Sequence, residues 1–242
     1  MSATNLGRVD VSDSGPRTTE SPTTIFLSRI EAFGLRVPFT LATVAMLVLA
    51  GWLTNTASGE NLGVHAIARL GFAPADTASF DLARAIASVL VTNGPAAFWT
   101  ALVATAAFAG FVEWRYGSMR AAIAFWGTHL ATIALSFALL APLHLAGDPA
   151  ARLIFLARGV GPSAGYVGCL GYLLFGLGRR ARLISLGVGI TVLAVALALS
   201  LPTVASQPAE VSAALSHLLA LPIGFALGAL MSRERPRHSS GS

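Results

Sequence analysis

Three observations predict an all-α membrane protein. Of 242 residues, 55% are hydrophobic and 11% charged, and the mean hydropathy of +0.71 lies outside the range of water-soluble domains. Six apolar runs of roughly 17 to 25 residues are long enough to cross the hydrocarbon core as helices, where no other open structure satisfies its backbone. The arginines cluster between these runs, as topology signals do.

The elements follow in chain order. Met1 to Pro22 is rich in Ser, Thr, Asp and Gly, with no apolar run of signal-peptide type, and reads as a disordered cytoplasmic tail. In Thr23 to Arg36, Ile25, Phe26, Ile30 and Phe33 recur at helical spacing around Arg29 and Glu31, the pattern of an interfacial amphipathic helix. The membrane domain, 37–231, carries spans expected at Val37 to Thr54, Gly94 to Val112, Arg120 to Leu143, Gly159 to Leu177, Leu183 to Leu201 and Val211 to Met231. A second tail, 232–242, follows. The first outer connection, about Asn55 to Asn93, includes the partly amphipathic stretch Ser79 to Val91 and is expected to have structure of its own.

Arginine placement orients the bundle. With the N-terminus inside, one side collects Arg8, Arg17, Arg29, Arg36, Arg115, Arg120, Arg179, Arg180, Arg182, Arg233, Arg235 and Arg237. The other holds Arg69, Arg84, Arg152 and Arg158. Both termini are therefore expected in the cytoplasm. All sixteen basic residues are Arg, a composition that points to a GC-rich bacterial genome and hence to a bacterial cytoplasmic membrane. The net charge of +5 does not point to nucleic acid, because the arginines lie between apolar runs and not along one face. A lone Cys169 excludes an intramolecular disulfide, and the spacings of a metal site are absent. No cofactor is implied; the expected partners are membrane lipids and transmembrane proteins.

Polar residues within apolar helices are costly and mark function. Ser163, in Gly161-Pro162-Ser163-Ala164-Gly165, lies about four residues into span four, roughly 6 Å deep. His217 lies about six residues into span six, roughly 9 Å deep from the same side. Small residues accompany both, with Gly161, Gly165, Gly168 and Cys169 on one helix and Ala220, Gly224 and Gly228 on the other, so the two backbones can pack closely. A hydroxyl and an imidazole at matched depth on closely packed helices are what a Ser–His nucleophile pair requires. The alternative for Ser163 is a hydrogen bond to its own backbone, and for the glycines packing alone. His129, in span three, has no carboxylate partner in the sequence pattern and reads as a hydrogen bond to a neighbouring helix. Gly161-x-Ser163-x-Gly165 also matches the nucleophile elbow of α/β-hydrolases, but that motif needs a strand and a soluble sheet, which this chain lacks.

These residues resemble the rhomboid family of intramembrane serine proteases. Gly161-Pro162-Ser163 with the glycine-rich helix that follows, His217 with Ala220, Gly224 and Gly228 behind it, and Glu113-Trp114-Arg115-Tyr116-Gly117-Ser118 at the inner end of span two are similar to three stretches of that family. The matches cover about Arg84 to Met231. The resemblance implies a six-helix rhomboid-like bundle with a Ser163–His217 dyad; Gly161, and Asn93 at the outer end of span two as a substitute donor, are the residues expected to help hold the oxyanion or position substrate. It also brings departures. Ala164 stands where the family has glycine, Ala97 and Ala101 stand where span two carries a His and an Asn, and Ala83 precedes Arg84 where a Trp-Arg pair is typical. An inactive relative that binds membrane helices or lipids is the alternative. A transporter ranks below both, since mid-membrane carboxylates and internal repeats are missing.

Overall fold

The computed structural model describes residues 36–79 and 81–233. The expected tail 1–22, the interfacial helix 23–36 apart from Arg36, and the second tail beyond Arg233 lie outside the described residues.

Among the described residues the fold is all-helical. The helices are α1 (Pro38–Leu53), α2 (Val64–Leu70), α3 (Leu82–Leu90), α4 (Pro95–Tyr116), α5 (Ser118–Leu145), α6 (Pro149–Leu156), α7 (Ser163–Phe175), α8 (Arg179–Thr203) and α9 (Pro208–Arg233). Four of them, α4, α5, α8 and α9, are long and apolar enough to cross a membrane. The stretches expected as spans one and four are apolar helices of 16 and 13 residues. At ~1.5 Å per residue they reach roughly 24 and 20 Å, short of the ~30 Å hydrocarbon core. Local chemistry sets these limits. Asn55, in the left-handed conformation at φ 56°, stops α1. At the other, Gly161 at φ 123° and Pro162 keep the chain out of a helix until Ser163.

Helix α7 forms the centre of the packing. Ala164, Gly165, Gly168, Cys169, Gly171 and Tyr172 are all buried, and α4, α5 and α9 surround them. A Cβ on Gly224 would strike the Gly168 backbone, and one on Gly171 would strike the Leu221 carbonyl, so α7 and α9 touch backbone to backbone. Helix α8 is peripheral: none of its residues is buried, and Leu183, Ile184, Val188, Val192, Val195 and Leu199 point outward. An apolar helix with no buried residue and one open face is stable against lipid and not against water.

Two five-residue π-helical segments interrupt the long helices beside α7, Thr105–Ala109 in α4 and Ile123–Gly127 in α5. The second delivers Phe125, fully buried, against Gly165; a Cβ there would lie 2.7 Å from the ring.

At the basic end of the bundle the Glu113 carboxylate, 1% exposed, caps α1. It accepts from Phe39 N at 2.8 Å, Thr40 N at 2.7 Å and Ser118 Oγ at 2.6 Å. Two of the orphan donors at the α1 N-terminus thus find a partner inside the bundle. Gly117, at φ 89°, makes the turn that returns Ser118 to Glu113.

The long connection between α1 and α4 is structured, as its amphipathic stretch predicts. Asp81 caps α3 by accepting from Arg84 N at 3.0 Å, and Ala85, Ser88 and Val89 turn inward. A two-way bridge joins Phe72 and Gly159, with both N–H to O distances 3.0 Å. Asp76 receives Arg158 through two bonds of 3.2 and 2.9 Å, and the Ala73 N–H at 2.9 Å. The segment leading to Ser163 is thereby tied to the loop that precedes α3.

Candidate functional site

Ser163 is the first residue of α7 and not, as its spacing predicts, about four residues inside a helix. The reason is the Gly161-Pro162 break. Its position matters chemically, because the first N–H groups of a helix have no intrahelical partner. Pro162 has no N–H at all, so the leading free donors are those of Ser163 and Ala164. Gly161 is different. Its N–H donates to the Ser88 carbonyl at 2.6 Å, which leaves it nothing to offer an oxyanion.

Ser163 and His217 line one cavity of about 360 Å³, open between α4, α7 and α9. Both side chains are half-buried. His217 comes nine residues after Pro208 in α9, and its Nε2 is buried without a hydrogen-bond partner. No hydrogen bond joins it to Ser163 Oγ among the described residues. Asn93, Ala97 and Ala101 form the α4 side of the same cavity. Asn93 is held in place by its own Oδ1, which accepts from Leu62 N at 3.2 Å and leaves the amide NH2 unassigned. Ala97 and Ala101 present methyl groups there and no donor.

The small residues divide into two sets. Gly224, Ala220 and Gly228 lie along the α7–α9 contact, where Gly224 meets the Gly168 backbone: Ala220 is fully buried, and a Cβ on Gly228 would lie 2.9 Å from Phe175 Cβ. Gly165 and Gly168 turn their Cβ directions to α5 instead, toward Phe125 and Thr128. Sequence spacing alone cannot tell these faces apart, because α7 has apolar neighbours all round.

A second cavity, about 90 Å³, lies on the other side of Ser163. His129, Ser136, Ser212, Ser216 and Ala164 line it. Ala164, the departure beside the serine, lines this cavity and not the one shared with His217. His129 is 7% exposed, edge-on to Trp126 at 6.2 Å, and lies against the Ala85 carbonyl. Neither of its nitrogens makes a hydrogen bond of good geometry, nor do the Thr132 and Ser136 hydroxyls. The hydrogen bond expected from His129 to a neighbouring helix has the Ala85 carbonyl of α3 as its acceptor, at a geometry short of ideal. Among the described residues no group of His, Cys, Asp and Glu is placed to hold a metal ion.

All-helical architecture with four span-length apolar helices defines a helical membrane protein. No protein-family model, no curated protein and no solved structure matches the chain.

Proposed function

We propose that the chain is a rhomboid-like intramembrane serine protease of a bacterial cytoplasmic membrane. Six spans with both termini cytoplasmic would complete its topology, α1 and α7 serving as the short first and fourth spans. The observation that carries this reading is the single cavity lined by Ser163 and His217 from two helices in backbone contact. In the reaction, Ser163 Oγ attacks the scissile carbonyl of a transmembrane protein while His217 Nε2 takes the hydroxyl proton. The same imidazole then delivers that proton to the leaving amine, and water hydrolyses the acyl-enzyme with His217 as base. The oxyanion is received by the Ser163 and Ala164 N–H groups, with the Asn93 amide as the side-chain donor within the cavity. No cofactor enters these steps.

A second reading, an inactive relative that binds membrane-protein helices or lipids, is favoured by one observation. Ala97 and Ala101 line the cavity where donors would speed the reaction, and each missing oxyanion donor costs about 100- to 1000-fold in rate.

Labelling of the purified full chain with a fluorophosphonate separates the two. The protease reading expects slow labelling that Ser163→Ala abolishes and His217→Ala reduces to background. A folded protein that takes no label, or that labels equally in both variants, contradicts it.

A further inference from the structure

The far end of α7 borders a separate cavity of about 470 Å³, roughly 20 Å from Ser163 along the helix. Ends of several helices meet there. Tyr116 closes α4, Arg120 lies in the first turn of α5, Phe175 ends α7, and Gly228 and Ser232 belong to the last turns of α9.

Its charge is one-sided. Arg115 and Arg120 line it, and the Arg182 guanidinium carbon lies 4.5 Å over the ring of Phe175, one of the lining residues. None of the three has a carboxylate within ion-pair distance among the described residues; the ion pairs present use Asp76 and Asp81, on the Ser163 side. Glu113, the acid nearest in sequence to Arg115, is engaged by the Phe39 and Thr40 N–H groups and the Ser118 hydroxyl. Helix C-termini oppose this charge by about half a unit each. Three of them point here, from α4, α7 and α9, but the N-termini of α5 and α8 offset two, and three whole arginine charges against the single one of Glu113 leave the cavity positive. Arg120 donates to the Met231 carbonyl at 3.4 Å, using one of its five donors.

The surroundings are those of a lipid and not of a soluble anion. The cavity sits at the ends of membrane-length helices, the depth at which phosphate headgroups lie. Trp114 and Met119, adjacent in sequence to the two arginines, are exposed apolar side chains, as are Leu177 and Leu183. Basic pockets between transmembrane helices bind anionic headgroups, and guanidinium matches phosphate in a two-bond geometry.

We propose that this cavity binds the phosphate of an anionic phospholipid, with Arg115 and Arg120 as its ligands and Arg182 adding charge. The site does not depend on the protease reading. Its test uses the purified full chain in a non-ionic detergent, with phosphatidylglycerol, phosphatidylcholine of the same acyl chains, and inorganic phosphate as three separate probes. Native mass spectrometry counts bound lipid and thermal unfolding reads the stabilisation. Phosphatidylglycerol should remain bound and raise the unfolding midpoint where the other two do not. Arg115→Ala with Arg120→Ala should weaken it by roughly 25-fold, at about fivefold for each arginine. Arg69→Ala with Arg152→Ala, which removes the same charge from exposed positions on the Ser163 side, should leave binding intact. Because Arg120 also holds α9, the single Arg115→Ala variant carries the test if the double variant does not fold. Equal binding of the two lipids, an unchanged affinity in the Arg115 variants, or stabilisation by free phosphate equal to that by phosphatidylglycerol would each overturn the proposal.

Discussion

Glu113 and Asp76 both accept hydrogen bonds from other segments, yet they serve different ends of the molecule. Glu113→Ala leaves two backbone N–H groups and a hydroxyl without their acceptor in a site closed to solvent. With a penalty of about 1–3 kcal/mol for each buried orphan, the variant should lose at least about 3 kcal/mol in detergent unfolding, and Glu113→Gln less. Asp76 acts through pH. Burial, the largest single influence, raises its pKa; the Arg158 hydrogen bonds, the Ala73 N–H and the charges of Arg158 and Arg84 together outweigh it and hold the carboxyl below its usual 3.8. A depressed carboxylate contributes stability that is present above the unfolded value and is lost as pH falls through the folded one. Unfolding midpoints should therefore fall below about pH 4 in the wild type, while Asp76→Asn starts lower and changes less over the same range. Inside the candidate site, Ala101 faces the Ser163–His217 cavity and supplies no donor. If the chain is a protease, Ala101→Asn should quicken fluorophosphonate labelling at least about tenfold, toward the 100-fold or more that one oxyanion donor is worth.

Between helices, the contact of α7 with α9 is the one that tolerates least. A Cβ at residue 224 meets the Gly168 backbone, which cannot rotate away as a side chain can. Gly224→Ala should cost about 1–3 kcal/mol or more and part the two helices. Gly187→Ala is the matched control on α8, where a Cβ meets nothing within 4 Å. It should be neutral or stabilising by up to about 1 kcal/mol, the helix-propensity gain alone. Comparing unfolding midpoints of the two variants checks both expectations. The contrast also explains what could be read from the chain in advance. Apolar runs and small-residue spacing carry the helices and mark Gly168, Gly224 and Gly228 as packing positions, since those signals are local. Which side of α7 meets which neighbour is not local, and Gly165 facing Phe125 depends on a π-helical turn in α5 that periodicity does not reveal. Likewise the Gly161-Pro162 break that starts α7 at Ser163 is local, whereas the bond that fixes Gly161 reaches Ser88, 73 residues away, and no periodicity shows it.

For the whole molecule, the two ends of α7 divide the work. One end holds Ser163, the loop tied by Asp76 and Arg158, and two cavities that share the serine. The other holds the Glu113 cap and the arginine-lined cavity. Exposed apolar faces of α8 and of α4 between these ends fit a lipid surround, and the glycine contacts hold α7 against α9. Everything proposed for catalysis rests on α7 and α9 presenting Ser163 and His217 to one space. The most direct measurement is cross-linking of Ser163→Cys with His217→Cys, in a Cys169→Ala background, by a short bis-methanethiosulfonate reagent in native membranes. Ser163→Cys with Val188→Cys, the latter exposed on peripheral α8, serves as the control. Efficient cross-linking of the first pair and none of the second is the predicted result. Failure of the first pair to react, in protein whose single cysteines both label, would contradict the shared cavity and with it the proposed dyad.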